Sequence, residues 1–254
     1  MSRSKALYSY ILVRLLLAPL MLWTISTLVF LLLRATPGDP VDAILGPKAS
    51  TATKEALRSQ LGLDGSLLKQ YFNYLGKLFS FDLGTSMTTR GESVWQIIQN
   101  YFPATLELAV FSMAIALIVG ITIGSIAASH PNTRLDLGGR LFGIITYAVP
   151  PFWAGMILQL IFAVQLKWFP LGTRFPTSEN SPPSITGLYT IDSILSGNIE
   201  HFFTSIYYLA LPSLTLGILL SGIFERIVRI NLKQTLKADY VEAARARGIP
   251  ELRI

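Results

Sequence analysis

Four stretches of this sequence run for about twenty residues with almost no charge, at positions 15–33, 106–129, 141–166 and 205–224. A helix rises ~1.5 Å per residue and the hydrocarbon core of a bilayer is ~30 Å thick, so about 20 apolar residues meet the requirement of a spanning helix. Only Glu107 interrupts the second stretch. The strict alternation of a membrane barrel is missing from all four, so helices are expected rather than strands. Composition agrees. The chain is 51% hydrophobic and 14% charged, against about 25% charged for soluble domains. That is too little charge to cover a soluble surface, which excludes an ordinary soluble enzyme, a disordered tail and a collagen-like fibre.

The first stretch has the basic start of a signal peptide, but its 19 apolar residues exceed the usual ~7–15 of such a segment. No small-x-small cleavage site precedes Arg34, so this helix is expected to be retained. The charges set an orientation. With the N-terminus inside, the inside segments 1–14, 129–140 and 225–254 hold 12 of the 21 lysines and arginines in 56 positions. The outside segments 34–105 and 167–204 hold nine in 110 positions. The positive-inside bias therefore predicts a cytoplasmic N-terminus and, after four spans, a cytoplasmic C-terminal segment. The net charge of +6 is explained by topology, and no nucleic-acid partner is expected.

The long loop after the first span opens with Pro37-Gly38-Asp39-Pro40, which cannot continue a helix. A short helix over 54–61 is expected next, capped from Ser50 to Thr53 and closed by Gly62. Leu67, Leu68, Tyr71, Phe72, Leu75, Leu78 and Phe79 then recur on one helical face, with Lys69, Gln70, Asn73 and Lys77 on the other. Such an amphipathic helix either lies in the membrane interface or packs on the outer ends of the spans. In the second external loop, Trp168 and Phe169 stand where an aromatic belt belongs, and the remainder is turn-rich.

Inside the spans, no ionisable residue falls near a centre. Glu107, Lys167, Glu225 and Arg226 stand at ends, from which long side chains are expected to reach the headgroups. That disfavours an ion-coupled transporter, which needs a midplane ionisable group. Gly120 with Gly124, and Gly139 with Gly143, match the small-xxx-small pattern of close helix contacts. Pro150 and Pro151 should break the third span and could serve it as a hinge. Cysteine is absent, the two histidines lie in different loops, and no Walker phosphate loop occurs. No catalytic residues, metal site or cofactor are expected.

The most specific feature is the segment from Asp239 through Tyr240, Glu242, Ala243, Ala244 and Arg245 to Gly248, with Pro250 beyond it. Asp239 and Glu242 form a capping-box-like start, and Gly248 suits the position just past a helix end. A two-turn helix with a flat, small-residue surface follows. It could be a simple linker or a docking element.

Glu242-Ala243-Ala244 followed by Gly248 resembles the EAA motif of inner-membrane subunits of ATP-binding-cassette importers. Further blocks resemble the peptide and nickel branch: Pro37-Gly38-Asp39-Pro40, Leu61-Gly62-Leu63-Asp64, Gln70-Tyr71 with Tyr74-Leu75, and Asp82-Leu83-Gly84-Thr85-Ser86. So do Pro103-Ala104-Thr105-Leu106-Glu107-Leu108, Pro150-Pro151-Phe152-Trp153, Trp168-Phe169-Pro170 and Leu211-Pro212-Ser213-Leu214. The resemblance implies a permease subunit of the cytoplasmic (inner) membrane that moves di- or oligopeptides and is not itself an enzyme. Implied partners are two ATPase subunits, a second homologous permease, an external solute-binding protein and the lipid bilayer. Asp239, Tyr240, Glu242, Ala243, Ala244, Arg245 and Gly248 would form the helix that couples to the ATPase. Family members continue into two more spans, so four of an expected six are anticipated here, arranged as a first span (1–33), an external loop (34–105) and a permease core that begins at 106 and is cut short. Nickel chelates or glutathione are alternative cargoes, and a polytopic scaffold or receptor is the rival from another class.

Overall fold

The computed structural model describes residues 3–35, 38, 40–46, 49–60, 62–86 and 91–250. Pro37, Asp39 and Leu61, each part of an expected turn or helix end, lie outside them. Among the described residues the chain is helical, with one isolated bridge between Thr85 and Ser93. In order the helices are α1 (Arg3–Ala35), α2 (Pro40–Leu45), α3 (Thr51–Gln60), α4 (Leu67–Phe79), α5 (Val94–Ser129), α6 (Arg134–Ala148), α7 (Pro151–Leu158), α8 (Tyr189–Leu195), α9 (Ile199–Thr235) and α10 (Asp239–Ala246). Gln159–Gln165 continues α7 as a π-helix. The chain divides into two compact units, Met1–Ile98 and Gln99–Ile254.

Three helices are long and apolar enough to cross a membrane alone, and a fourth crossing results if α6 and the α7 segment are counted together. That third stretch is not one straight rod. Arg134–Ala148 and Pro151–Gln165 meet at 97°. Pro150 and Pro151 lack the N–H groups that would continue the ladder of α6, and Pro150 holds an extended backbone that α7 starts from.

In the first unit, α4 settles the choice left open by its pattern. Its Tyr71 and Tyr74 rings pack against Phe30 of α1, at centroid distances of 5.2 and 5.5 Å, and Phe30 is 4% exposed. Thr27 and Tyr71 share a hydroxyl hydrogen bond of 2.7 Å. Gln70, expected on the polar face, belongs to this contact instead. Its Oε1 accepts from Arg34 at 2.8 Å, and its Nε2 donates to the carbonyl of Leu63 at 2.9 Å. An amide at this edge satisfies both a guanidinium and a turn carbonyl, which no apolar residue could do. Leu67, Leu68, Phe72 and Phe79 remain exposed. The helix expected over 54–61 begins earlier, at Thr51, with Ser50 Oγ accepting from the Thr53 N–H at 3.2 Å.

In the second unit, α5, α6 and α9 approach through glycines. A Cβ on Gly120 or Gly124 would stand 2.6 Å from the carbonyl oxygen of Ser221 or 2.7 Å from that of Glu225, and one on Gly217 would stand 2.7 Å from Ile115. On α9, a Cβ at Gly222 would meet Thr146 Oγ1 of α6 at 1.9 Å. Lipid gives helices no hydrophobic reason to associate, so close packing over small residues supplies the attraction.

The loop before α9 is more ordered than its turn-rich sequence suggests. Glu107 is buried, not extended toward headgroups. It accepts from Arg174 Nη2 at 2.9 Å and from the N–H and hydroxyl of Thr190 at 2.7 and 2.6 Å, while the Arg174 guanidinium lies 3.9 Å from the Tyr189 ring centre. Fully buried Asp192 accepts from the N–H groups of Thr186 at 2.8 Å and Gly187 at 2.9 Å, and from the Thr186 hydroxyl at 2.7 Å. Burial pushes its carboxyl pKa up, but these hydrogen bonds, with that from Ile185, outweigh the burial and hold it below the usual carboxylate value.

Two outcomes follow. Gly222→Ala is expected to lose about 1–3 kcal/mol, lowering the melting temperature of the detergent-purified protein by several degrees. Gly138→Ala, whose Cβ meets nothing within 4 Å, should leave it unchanged, and Thr146→Ala should restore the Gly222→Ala variant. For Asp192, a lowered folded pKa means that its stabilisation is complete above about pH 4 and fades as pH falls through the folded value. Asp192→Asn should expose the loop around 176–188 to protease at neutral pH, at a cost of about 1–3 kcal/mol, and should abolish the acid dependence of that exposure.

Candidate functional site

Asp239, Tyr240, Glu242, Ala243, Ala244 and Arg245 all lie in α10, and Gly248 ends it. The N-cap is Ala238, which has no side chain to cap with, so the expected capping box is not formed. Asp239 begins the helix rather than preceding it, and Asp239 and Glu242 instead place negative charge in the first turn, where the helix dipole favours it. At the other end Gly248 has φ +73°. Its N–H donates to the Arg245 carbonyl at 2.9 Å and the Ile249 N–H donates to that of Ala244 at 3.2 Å. This is a Schellman closure, which needs a residue that tolerates the left-handed region.

One face of α10 is fastened down and another is presented. Val241 is buried, Ala244 is half-buried, and Arg245 Nη1 donates to the carbonyl of Leu236 at the end of α9, at 3.3 Å. Tyr240 is 65% exposed, and Glu242, Ala243 and Arg247 are exposed with it. The presented surface is thus small in the middle, with an aromatic ring and both charge signs around it.

Behind α10, two buried carboxylates secure the end of α9. Asp136, near the start of α6, accepts from Lys233 Nζ across the helix pair at 2.7 Å and from Arg140 one turn on at 2.5 Å. Glu225 is 0% exposed. Its Oε1 accepts from Arg229 Nε at 2.6 Å, while its Oε2 has no hydrogen-bond partner among the described residues. Glycines on α6 make room for it, since a Cβ on Gly143 would stand 2.7 Å from Oε2 and one on Gly139 3.2 Å from Oε1. Glu225 therefore does not reach for headgroups as its place near a span end suggested.

Pro150 and Pro151 are at the far end of α6 from Asp136. Beside their break is a cavity of about 350 Å³, lined by Pro151, Gly155, Gln159, Tyr208, Leu211 and Thr215 among others. Gln159 opens the π-helical turn, a local irregularity that re-aims side chains and is common at functional positions. The chemistry available here is contact with neutral polar groups. Among the described residues no group of histidines and acids could hold a metal.

Sequence reasoning singled out α10 and the proline pair, read Glu225 only as a span-end residue, and missed the roles of Asp136, Lys233, Gln159 and Tyr208. A signal existed for the two carboxylates. Each is followed four residues later by an arginine, at Arg140 and Arg229, which places opposite charges on one helix face.

Comparisons with known proteins converge. Residues 120–254 match the family described as binding-protein-dependent transport system inner membrane component. Residues 7–109 match the N-terminal family of the same transport-system membrane components. The chain is 38% identical over 226 residues to a probable D,D-dipeptide transport system permease protein of Escherichia coli K12, covering 89% of this chain and 66% of that protein. It is 37% identical over 232 residues to a di/tripeptide transport system permease protein of Pseudomonas aeruginosa, covering 91% and 68%. An oligopeptide transport system permease protein of Bacillus subtilis is 32% identical over 246 residues, covering 97% and 72%. The chain thus spans about two thirds of the length of the curated relatives it matches. Long apolar helices packed through glycines, a short helix presented beyond the last of them and these matches together show that the chain belongs to the inner-membrane components of binding-protein-dependent transport systems.

Proposed function

We propose that this chain is the permease subunit of an importer for di- or oligopeptides, set in the inner membrane with its N-terminus and α10 in the cytoplasm. The relatives named above are dipeptide, di/tripeptide and oligopeptide permease proteins, which supports the cargo. The density of basic residues at 1–14, 129–140 and 225–254 supports the orientation. In this reading a second permease subunit completes the path, an external binding protein delivers peptide, and two ATPase subunits act from inside.

The observation that carries the coupling role is the geometry of α10. A short helix whose outward surface is Ala243 flanked by Tyr240, Glu242 and Arg247 offers a partner groove a close backbone approach. On its inward side Val241 is buried and Arg245 bonds the end of α9 at Leu236, and Lys233 ties α9 to α6. A push on α10 would therefore move α9 and α6 as one piece. The α6–α7 break at Pro150 and Pro151 is where such movement could be taken up, since no backbone hydrogen-bond ladder crosses it.

Two experiments test this. The native sequence has no cysteine, so single-cysteine variants report topology cleanly. Glu179→Cys should react with an impermeant maleimide in intact cells, and Lys237→Cys only after permeabilisation; the reverse pattern refutes the orientation. In the full-length protein reconstituted with its partners, Gly248→Val forces a β-branched residue into a left-handed backbone at a cost of roughly 1–2 kcal/mol. It should cut peptide uptake at least ten-fold with less effect on ATP hydrolysis, and Glu242→Ala should act in the same direction. Unchanged uptake and unchanged ATPase stimulation in both variants would refute the coupling role.

A further inference from the structure

The last turns of α9 carry more positive charge than the buried carboxylates need. Asp136 and Glu225 contribute two negative charges, and Arg140, Arg226, Arg229 and Lys233 contribute four positive ones. The ion pairs use Nη2 of Arg140, Nε of Arg229 and Nζ of Lys233. A guanidinium has five N–H donors in a planar fork, so both paired arginines keep donors to spare. Arg226 is exposed, and its side chain has no hydrogen-bond or ion-pair partner among the described residues.

These arginines share one cavity. Arg140, Arg226 and Arg229 line a space of about 740 Å³ between α6 and α9. Glu225, paired with Arg229 through Oε1, also lines it, so three guanidinium groups face one carboxylate, and the rest of the wall is mostly apolar. Ile144, Ile223 and Ile227, each about half or more exposed, line it alongside Tyr147. A cavity that is cationic at one side and aliphatic at the other fits a ligand that is anionic at one end and hydrocarbon at the other. Arginine forks match the paired oxygens of a phosphate better than a point charge does.

We infer that the cleft between α6 and α9 binds the phosphate headgroup of an acidic phospholipid from the inner leaflet, with Arg226 as its uncommitted ligand and Arg140 and Arg229 contributing their spare donors. The leaflet rests on the orientation proposed above. The consequence is structural: Arg140 and Arg229 also hold Asp136 and Glu225, so a bound headgroup would be linked to the same ion pairs that secure the end of α9 behind α10.

The test is native mass spectrometry of the full chain released from nanodiscs of phosphatidylglycerol and phosphatidylethanolamine in equal amounts. Retained phosphatidylglycerol should exceed phosphatidylethanolamine several-fold. Arg226→Gln should reduce that excess roughly five-fold, since each basic residue near the surface contributes on the order of 1 kcal/mol to anionic-lipid binding. Arg140→Gln should reduce it as well, and Arg247→Gln, an exposed arginine outside the cleft, should not. Because Arg226 has no partner among the described residues, its variant should keep the wild-type melting temperature. No phosphatidylglycerol excess, or an excess unchanged in Arg226→Gln, overturns the proposal. So does displacement of the lipid by millimolar inorganic phosphate, which would mark a free-anion site. An Arg226-dependent dimer that carries no lipid would overturn it in favour of a second copy of the chain. Labelling of Lys237→Cys from outside would overturn the assigned leaflet, while the lipid ratios would still decide the headgroup site.

Discussion

Glu225 sits where α5, α6 and α9 come together, and the arrangement of all three depends on housing it. A carboxylate with no exposed surface requires a cation and close neighbours that do not compete for its volume. Arg229 supplies the cation at 2.6 Å. Gly139 and Gly143 supply the space, and Gly124 brings α5 against the Glu225 backbone. A side chain larger than hydrogen at any of these glycines meets Glu225 or its neighbours, so helix spacing and charge placement are set together. In lipid this matters more than in water, because the apolar faces of helices gain nothing by leaving hydrocarbon for one another.

The same logic recurs at both ends of α9. This helix has 37 residues, about 55 Å at ~1.5 Å per residue, and so exceeds the hydrocarbon thickness. Toward its start, Glu107 collects Arg174 and Thr190 while Asp192 organises the loop from Ile185 to Gly187. Toward its end, Asp136 collects Lys233 and Arg140. Acidic residues act as hubs at each end, and basic residues and backbone N–H groups gather around them. α10 follows the end of α9 after only three residues, Leu236 to Ala238, which leaves it little freedom of its own.

Much of this was legible in the residues. Apolar runs predicted the spans, Gly120 with Gly124 and Gly139 with Gly143 predicted helix contacts, and Gly248 predicted a helix end, because each rests on local geometry. α4 was placed by its 3.6-residue repeat, whose apolar face runs from Leu67 to Phe79. The failures share a cause. Glu107 and Glu225 looked like span-end residues free to extend outward, and Gln70 looked like part of a polar face. Each instead points to a partner distant in sequence or to a notch made by another helix, which no local pattern encodes.

The sequence by itself determined that the chain is helical, that it is a membrane protein, where its helices break, and that a small-residue helix follows the last span. Those properties depend on burying apolar length and on the backbone limits of proline and glycine, both of which act within a few residues. Only the tertiary structure decided which charges are buried together, how sharply the third stretch turns at Pro150, and which surface of α10 is free. These depend on distances between segments as far apart as Asp136 and Lys233, and such distances exist only once the helices have packed.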